Sequence, residues 1–386
     1  MNAAQLCAWW SHRQGLDGSL QGQSPAAVLA RTGWARSVGG SNPYLTLFAR
    51  AGTTREAADC AAAEASIHEI VSARGCTYVV PASDYALALS CARAVAKDQE
   101  MKLALKLGAT EAEIDRLQEG VLKALKAGPL SPDELRDQLG SAVRNFGPEG
   151  AKKGLTTTLP IALGRLQLAG SIRRIPINGR LDQQRYKYTI WKPNPLDGFK
   201  LTQEATLTEL ARRYFQWIGP ATLAELQWFT GLGVKAAKAA VEPLKLEPME
   251  KGSDRLLLPE DVDALHGFKA PKERHFVLAS CLDGLLLLRR DLLSLAETDG
   301  AMNAVSGLTD LESHPILDRG RLVGLWEFDP EQSRIVYLSF VGESKPMNEE
   351  VARTEEWIIK DLGDVRSFSL DSPKSRRPRI EALFSN

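Results

Sequence analysis

Apolar residues recur at helical spacing through most of the first 115 residues, in segments with recognisable start and stop signals. Ser24-Pro25 and Asn42-Pro43 each combine a capping side chain with a proline suited to the first helical turn, which predicts two helix starts. A further helix is predicted from Thr53 to about Gly75, followed by a short strand over residues 76–81. These segments predict an N-terminal helical, winged-helix-like domain over residues 1–115.

The segment from Glu119 to Trp191 predicts three helices followed by a hairpin. Gly128-Pro129 ends one amphipathic helix, and Ser131-Pro132 with Glu134 supplies the cap, the proline and the acid that start the next. A third helix is expected to end at Gly170. Asn178-Gly179 then predicts a tight turn between two strands, because both central residues of such a turn need positive φ. Three helices and a wing predict a winged-helix domain over residues 116–195.

The same order of signals returns after a turn-rich linker at residues 193–198. Residues 200–270 show a helix, a Gly-Pro turn, a helix capped by Thr222 and Glu225, another helix and a hairpin, which predicts a second winged-helix domain. Residues 271–386 change to short strands and a tail with one amphipathic helix and a basic loop at 374–379. The expected fold class is mainly α with small β-hairpins (α+β), as tandem winged-helix domains followed by a C-terminal β-rich region.

Composition excludes several classes of protein. The 386 residues carry 48 Lys+Arg and 48 Asp+Glu, so affinity for nucleic acid would have to come from clustered cations. The five cysteines are scattered without a CxxC pair, and the five histidines are equally dispersed, which argues against disulfides and a metal site and favours the cytoplasm. No apolar run reaches the length of a membrane span. We therefore expect no metal, no cofactor and no membrane association.

The predicted hairpin concentrates positive charge. Between Arg165 and Lys192 there are seven Lys/Arg and one acid, Asp182. A wing beside a DNA backbone needs such a cluster, and the residues expected to contact double-stranded DNA are Arg173, Arg174, Arg180, Arg185 and Lys187. The alternative is an ordinary solvated face of a hairpin.

Four blocks in one order resemble the AlkZ-like/YcaQ-like winged-helix family, whose studied members are DNA glycosylases that release alkylated or crosslinked bases. The blocks are residues 72–85 (SARGCTYVVPASDY), 210–232, 280–291 and 316–328. The resemblance extends from about Arg13 to Phe328. It implies tandem winged helices around a DNA-binding concavity, with damaged duplex DNA as the partner and a monofunctional glycosylase activity.

The resemblance also implies a catalytic Gln-x-Gln or Gln-x-Asp motif in the loop after a helix that we expect to end near Gly39. This chain reads Gly39-Gly40-Ser41-Asn42-Pro43 there, without a Gln pair. Hydrolysis of an N-glycosidic bond needs a group that positions water at the anomeric carbon, and Asn42 is the carboxamide at about this place. The competing interpretation is that Ser41 or Asn42 caps the following helix. A second departure is Tyr78, where the family's Arg-Gly-Thr-Leu-His-like block has its His.

Three functional hypotheses follow from the sequence. The first is a DNA repair glycosylase with an altered site, and the second is a catalytically silent DNA-binding protein that acts as a regulator or in self-protection. The third is a winged-helix scaffold for protein interactions, which the zero net charge leaves open. DNA binding is the function that the basic hairpin favours, whereas the missing Gln motif withholds support for base excision.

Overall fold

The N-terminal part packs helices around a small antiparallel sheet. The computed structural model describes residues 1–95 and 98–384. The first elements are α1 (Ala3–Arg13), α2 (Pro25–Thr32), β1 (Ala35–Arg36), α3 (Asn42–Ala51), α4 (Arg55–Ala63), β2 (Ile67–Val71), β3 (Thr77–Pro81) and α5 (Tyr85–Val95). β3 lies between β1 and β2. The helix start predicted at Ser24-Pro25 is confirmed, because the Ser24 side chain accepts a hydrogen bond from the Ala27 N–H at 3.3 Å.

The predicted helix from Thr53 to Gly75 is wrong in its second half. α4 ends at Ala63, Ala65 has a φ of 56°, and the chain continues as the strand β2. β2 pairs antiparallel with β3, and its first four residues are buried. Ile67, Ile70 and Val71 are β-branched and suit a paired, buried strand better than a helix.

Residues 98–195 form helices and a hairpin. The elements are α6 (Gln99–Lys106), α7 (Glu111–Ala124), α8 (Pro132–Leu139), α9 (Gly147–Lys152), α10 (Leu159–Leu168), β4 (Ile172–Pro176) and β5 (Tyr186–Ile190). The predicted start of α8 is confirmed as a reciprocal capping box between Ser131 and Glu134. Val121, Leu135 and Leu163 pack with Ile172 of β4 in one buried cluster, so the hairpin is anchored on its helices.

The tight turn predicted at Asn178-Gly179 is wrong. Pro176 pairs with Tyr186, so nine residues, 177–185, separate the two strands. This hairpin loop folds back onto α3, where the Leu181 N–H donates to the Tyr44 hydroxyl at 2.7 Å. Leu181 is buried in a core shared with the N-terminal helices, and burial of this apolar side chain explains why the loop is long.

The second half of the chain begins with a similar set of helices. Its elements are α11 (Gln203–Ile218), α12 (Leu223–Thr230), α13 (Val234–Val241), β6 (Glu247–Pro248), β7 (Leu256–Leu257) and α14 (Val262–Gly267). Thr222 and Glu225 form the predicted capping box at the start of α12. Whether the two helix-and-hairpin units are separate domains with the boundaries given above stays a prediction.

The C-terminal part is a four-stranded antiparallel half-barrel with helices around it. Its elements are β8 (Phe276–Leu278), α15 (Gly284–Leu287), α16 (Asp299–Val305), β9 (His314–Asp318), β10 (Arg321–Asp329), β11 (Arg334–Ser339), α17 (Lys345–Trp357) and α18 (Pro373–Phe384). The strands follow the order β11-β10-β9-β8. The predicted C-terminal β-rich region is thus present, and the fold is mixed α+β, with 51% helix and 14% strand.

The predicted basic loop at residues 374–379 is wrong, because these residues belong to α18. Arg376 is fully buried and bound to Asp364 at 2.8 Å, and Arg379 binds Glu327 at 2.7 Å. Arg379 thereby holds α18 against β10 of the half-barrel, and the charges of both arginines are engaged within the protein.

Candidate functional site

A pocket of about 300 Å³ lies where the N-terminal sheet meets α12 and α15. We call it the arginine–tryptophan pocket, and it is lined by Trp34, Arg36, Arg74, Cys76, Tyr78, Trp228, Phe229, Leu282, Gly284, Leu287 and Leu288. Three of the four sequence blocks that resemble one family, 72–85, 210–232 and 280–291, contribute to its wall. Blocks that are distant in the chain converge here, which makes this pocket the first candidate site.

The floor of the arginine–tryptophan pocket is aromatic. Trp34 lies 6.0 Å from Tyr78 and 6.4 Å from Phe229, measured between ring centroids, and all three residues are buried. The Trp34 indole N–H donates to the Asp84 carboxylate at 2.9 Å, which fixes the ring orientation. Flat apolar surfaces of this kind suit a planar ligand.

Trp228 lies between two guanidinium groups. Arg74 Cζ is 3.2 Å and Arg290 Cζ is 3.5 Å from the indole centroid, distances that place the two groups on opposite faces of the ring. Both arginines have left-handed backbones, with φ of 58° and 50°. Such a conformation costs about 1–2 kcal/mol for a residue with a Cβ, and strain of this type concentrates at functional sites. Arg290 is bound to Asp310 at 2.6 Å.

The pocket has a surplus of positive charge. Arg36 donates to the Thr77 carbonyl at 2.9 Å and lies 5.6 Å from the Tyr78 ring. Within the described part of the chain, neither Arg36 nor Arg74 has a carboxylate within 4 Å, and no Asp or Glu lines the pocket. Unpaired guanidinium groups beside aromatic rings can bind an anion and stack on a base.

A larger cleft, of about 870 Å³, lies on the other face of the N-terminal sheet. Arg36 pairs with Tyr78 in the sheet, so Ser37, Glu69 and Thr77 point to the other side. These three residues line the cleft together with the β4–β5 hairpin and the start of α8. We call it the Glu69 cleft.

Glu69 is a buried acid, 5% exposed, at the wall of this cleft. Burial raises the pKa of its carboxyl, while the nearby Arg174 guanidinium and hydrogen bonds from Ser37 and Tyr186 oppose the rise. Arg174 lies 4.5 Å from the Tyr186 ring centroid, and its Nε and Nη2 atoms are buried without a hydrogen-bond partner. The cleft therefore has a buried acid and an arginine side chain side by side in its wall.

The five predicted DNA contacts do not form one surface. Arg174 and Arg185 line the Glu69 cleft. Arg173 points to the opposite face of the hairpin, where burial lowers its pKa. Arg180 is engaged by Asp182 at 2.9 Å and by the Leu362 carbonyl, and Lys187 lies 3.5 Å from Glu134. The strongest geometric support for a ligand contact is therefore at Arg174 and Arg185.

Asn42, the predicted catalytic carboxamide, lines neither pocket. It is buried, and its amide donates to the Arg36 carbonyl at 2.6 Å. The competing capping interpretation is also not met, because neither Ser41 nor Asn42 makes a side-chain cap bond; the Ser41 hydroxyl accepts from the Arg366 N–H at 3.2 Å instead. α2 ends at Thr32 and not near Gly39, so the loop after it is 33–41, which contains no Gln, Asp or Glu.

Sequence reasoning missed that Glu69 and Trp228 line the two pockets. Glu69 was assigned to a helix, although the β-branched residues around it indicate a strand. Phe229 is buried, whereas the neighbouring Trp228 is partly exposed between Arg74 and Arg290.

The described residues, 1–95 and 98–384, contain no group of three or more His, Cys, Asp or Glu placed to hold a metal ion. None of their helices combines the length and apolar character needed to cross a membrane.

Comparisons with known proteins place the chain in a family. The model of the family described as "DNA glycosylase AlkZ-like" matches residues 18–347. Among solved structures, the chain is similar to Streptomyces sahachiroi DNA glycosylase AlkZ, with a TM-score of 0.71 and 19% identity over 92% of this chain and 97% of that one. No curated protein matches by sequence. Since the family model covers most of its length, the chain belongs to the AlkZ-like DNA glycosylase family.

Proposed function

We propose that the protein binds double-stranded DNA and holds one unstacked nucleotide of it in the arginine–tryptophan pocket. The observation that carries this proposal is the convergence of three family-like blocks on a pocket where Arg36 and Arg74 have no carboxylate partner. A nucleotide combines a phosphate for the guanidinium groups with a flat base for the aromatic floor. The structural relative is named as a DNA glycosylase, which agrees with DNA as the partner.

The two helix-and-hairpin units act, in this proposal, as tandem winged helices that bind the duplex backbone. Arg174, Arg185 and Lys187 supply phosphate contacts from the first hairpin. Arg180 and Arg173 contribute less, because the first is engaged by Asp182 and the second faces inward. A location in the cytoplasm, in contact with DNA, is part of the same proposal.

The arginine–tryptophan pocket supports binding better than hydrolysis. Its lining holds neither a carboxylate nor a carboxamide that could position water at an anomeric carbon. Two unpaired arginines also repel a cationic alkylated purine, the base that leaves most easily. The pocket by itself therefore favours the catalytically silent DNA-binding alternative, and any base excision needs another site.

Equilibrium binding of fluorescein-labelled duplex DNA, followed by anisotropy at several salt concentrations, tests the proposal. The Arg36→Ala/Arg74→Ala variant should bind at least about tenfold more weakly, the loss of one charged hydrogen bond of ~1.5 kcal/mol. The Lys345→Ala/Arg377→Ala variant removes the same charge from exposed residues that do not line the pocket and should bind like wild type.

Two outcomes would contradict the proposal. If the Arg36→Ala/Arg74→Ala variant and wild type bind DNA with equal affinity, and their unfolding midpoints agree, the arginine–tryptophan pocket is excluded as a DNA-binding site. If wild type fails to bind duplex DNA at physiological salt, DNA binding itself is wrong and the protein-interaction alternative gains support.

A further inference from the structure

Glu69 differs from most of the buried acids that hold this fold together. Asp283, Asp318 and Glu327 are each bound by an arginine side chain, at 2.7 to 3.2 Å. Glu69 instead accepts hydrogen bonds from the hydroxyls of Ser37 and Tyr186, and no cationic nitrogen lies within the 4 Å of an ion pair in the described chain. A buried acid without a salt bridge costs stability, so a purely structural role explains it poorly.

The Glu69 cleft has room and contacts for a nucleotide. Its volume of about 870 Å³ exceeds that of the arginine–tryptophan pocket almost threefold. Arg174 lines the cleft and Arg185 lies exposed at its wall, so both guanidinium groups can bind a phosphate. Tyr186 and Tyr188 provide flat surfaces beside the acid.

The two pockets differ in the charge that they offer to a base. The charged residues that line the arginine–tryptophan pocket are arginines, whereas Glu69 and Asp133 line the Glu69 cleft together with Arg174 and Arg185. A purine alkylated at N7 or N3 carries a positive charge, and carboxylates attract it. Such a base leaves with modest assistance, because breaking the glycosidic bond neutralises its charge.

We propose that Glu69 is a catalytic carboxylate, which activates the water that cleaves the N-glycosidic bond of a cationic alkylpurine nucleotide bound in the Glu69 cleft. This inference rests on the proposed binding of DNA.

The chemical step balances without a co-reactant. Glu69 accepts a proton from water as the water oxygen bonds to C1′ of the deoxyribose. The bond from C1′ to the purine nitrogen breaks, and its electron pair passes to the purine, which leaves as a neutral alkylated base. An abasic deoxyribose with a hydroxyl at C1′ remains in the DNA.

The surroundings of Glu69 suit a general base. Burial raises the pKa of the carboxyl, and a more basic carboxylate accepts a proton from water more readily. Ser37 and Tyr186 orient it by donating hydrogen bonds. Because the acting form is deprotonated, the rate of base release should rise with pH through the raised pKa of Glu69 and then level off.

The test is release of N7-methylguanine from a duplex with one N7-methyl-2′-deoxyguanosine, measured by mass spectrometry under single-turnover conditions. Glu69→Gln keeps the shape and a hydrogen-bond acceptor but cannot take the proton, so the rate should fall at least about a hundredfold while affinity for the duplex stays within about twofold. Glu247→Gln, at an exposed glutamate in the short strand β6, is the matched control and should act like wild type.

Each result decides between the two proposals. A wild-type protein that binds this duplex but releases no base, or a Glu69→Gln variant that releases it at the wild-type rate, overturns the role of Glu69 and leaves DNA binding intact. If wild type does not bind the duplex, the proposed DNA binding is wrong, and the role of Glu69 that rests on it is wrong as well. If Glu69→Gln does not fold, the wild-type pH profile decides, and a rate that does not fall as the pH is lowered from about 8 to 4 overturns the proposal.

Discussion

Asp283→Asn tests how the region behind the arginine–tryptophan pocket is held in place. Asp283 accepts hydrogen bonds from both terminal nitrogens of Arg50, at 2.7 and 2.9 Å, and from the Leu285 N–H at 2.9 Å. Both side chains are almost fully buried. The ion pair thereby joins α3 to the first turn of α15, whose residues line the pocket.

The change removes a charge and almost no volume. Asparagine retains an oxygen that can accept from the Leu285 N–H, but Arg50 then remains buried with a full charge and a neutral partner. Removing one partner of a buried ion pair typically costs about 3–5 kcal/mol. The Gln14 side chain also accepts a hydrogen bond from Arg50, at 3.0 Å, and this bond reduces the destabilisation. We therefore expect the free energy of unfolding to fall by about 3 kcal/mol.

Urea unfolding followed by far-ultraviolet circular dichroism and by tryptophan fluorescence measures this loss, and coincident transitions justify a free energy. The double variant Arg50→Met/Asp283→Asn should lose less free energy of unfolding than Asp283→Asn alone, because it no longer buries the unpaired charge of Arg50. Glu349→Gln, at an exposed pair with Lys345, should change stability by less than about 0.5 kcal/mol. A loss below about 1 kcal/mol for Asp283→Asn would refute the reasoning.

Two further predictions concern the core. Leu181→Ala should lower the free energy of unfolding by about 2–5 kcal/mol in the same assay, because the hairpin loop packs on Tyr44 through this side chain, and a loss under about 1 kcal/mol would contradict it. Burial and nearby arginines lower the pKa of His68 and of His314 to about 3, so the unfolded state binds more protons below about pH 6.5. Stability should therefore fall as pH is lowered from about 7 to 5, by up to ~1.4 kcal/mol per pH unit for each histidine, and a flat profile would disagree.

Local signals predicted much of the fold. The caps at Ser24, Ser131 and Thr222 stand where the sequence placed them, because a capping side chain bonds to backbone only three residues away. The strand β2 was missed because its apolar residues also continue the helical pattern of α4, and pairing with β3 decides between the two.

The hairpin shows where local reasoning fails. The chain does turn over residues 176–179, where the Gly179 N–H donates to the Pro176 carbonyl at 3.2 Å, but this is not the two-residue hairpin turn predicted, and the loop continues to Arg185. Its length depends on Leu181 reaching a core built by α3, which lies more than a hundred residues away. A turn dipeptide carries no information about that contact.

The candidate pockets depend on tertiary structure even more. Trp34 and Arg74 come from the N-terminal part, Trp228 from α12, and Arg290 from the turn after α15. The sequence blocks that contain these residues could be recognised from their resemblance to the family, but the sequence did not show that the blocks come together in one pocket. The opposite orientations of Arg36 and Glu69 follow from strand register, which required both β1 and β2 to be known.

Modification of Cys76 tests most directly whether DNA enters the arginine–tryptophan pocket. Cys76 lines the pocket and is partly exposed, whereas burial raises the pKa of Cys7, Cys91 and Cys281 and keeps these thiols unreactive. In a Cys60→Ser protein, which lacks the exposed thiol, Cys76 should therefore be the residue that reacts with a maleimide.

Duplex DNA at about ten times its Kd should slow that reaction about tenfold, because only the free protein then reacts. An unchanged rate, while anisotropy shows that the same DNA is bound, would contradict the account.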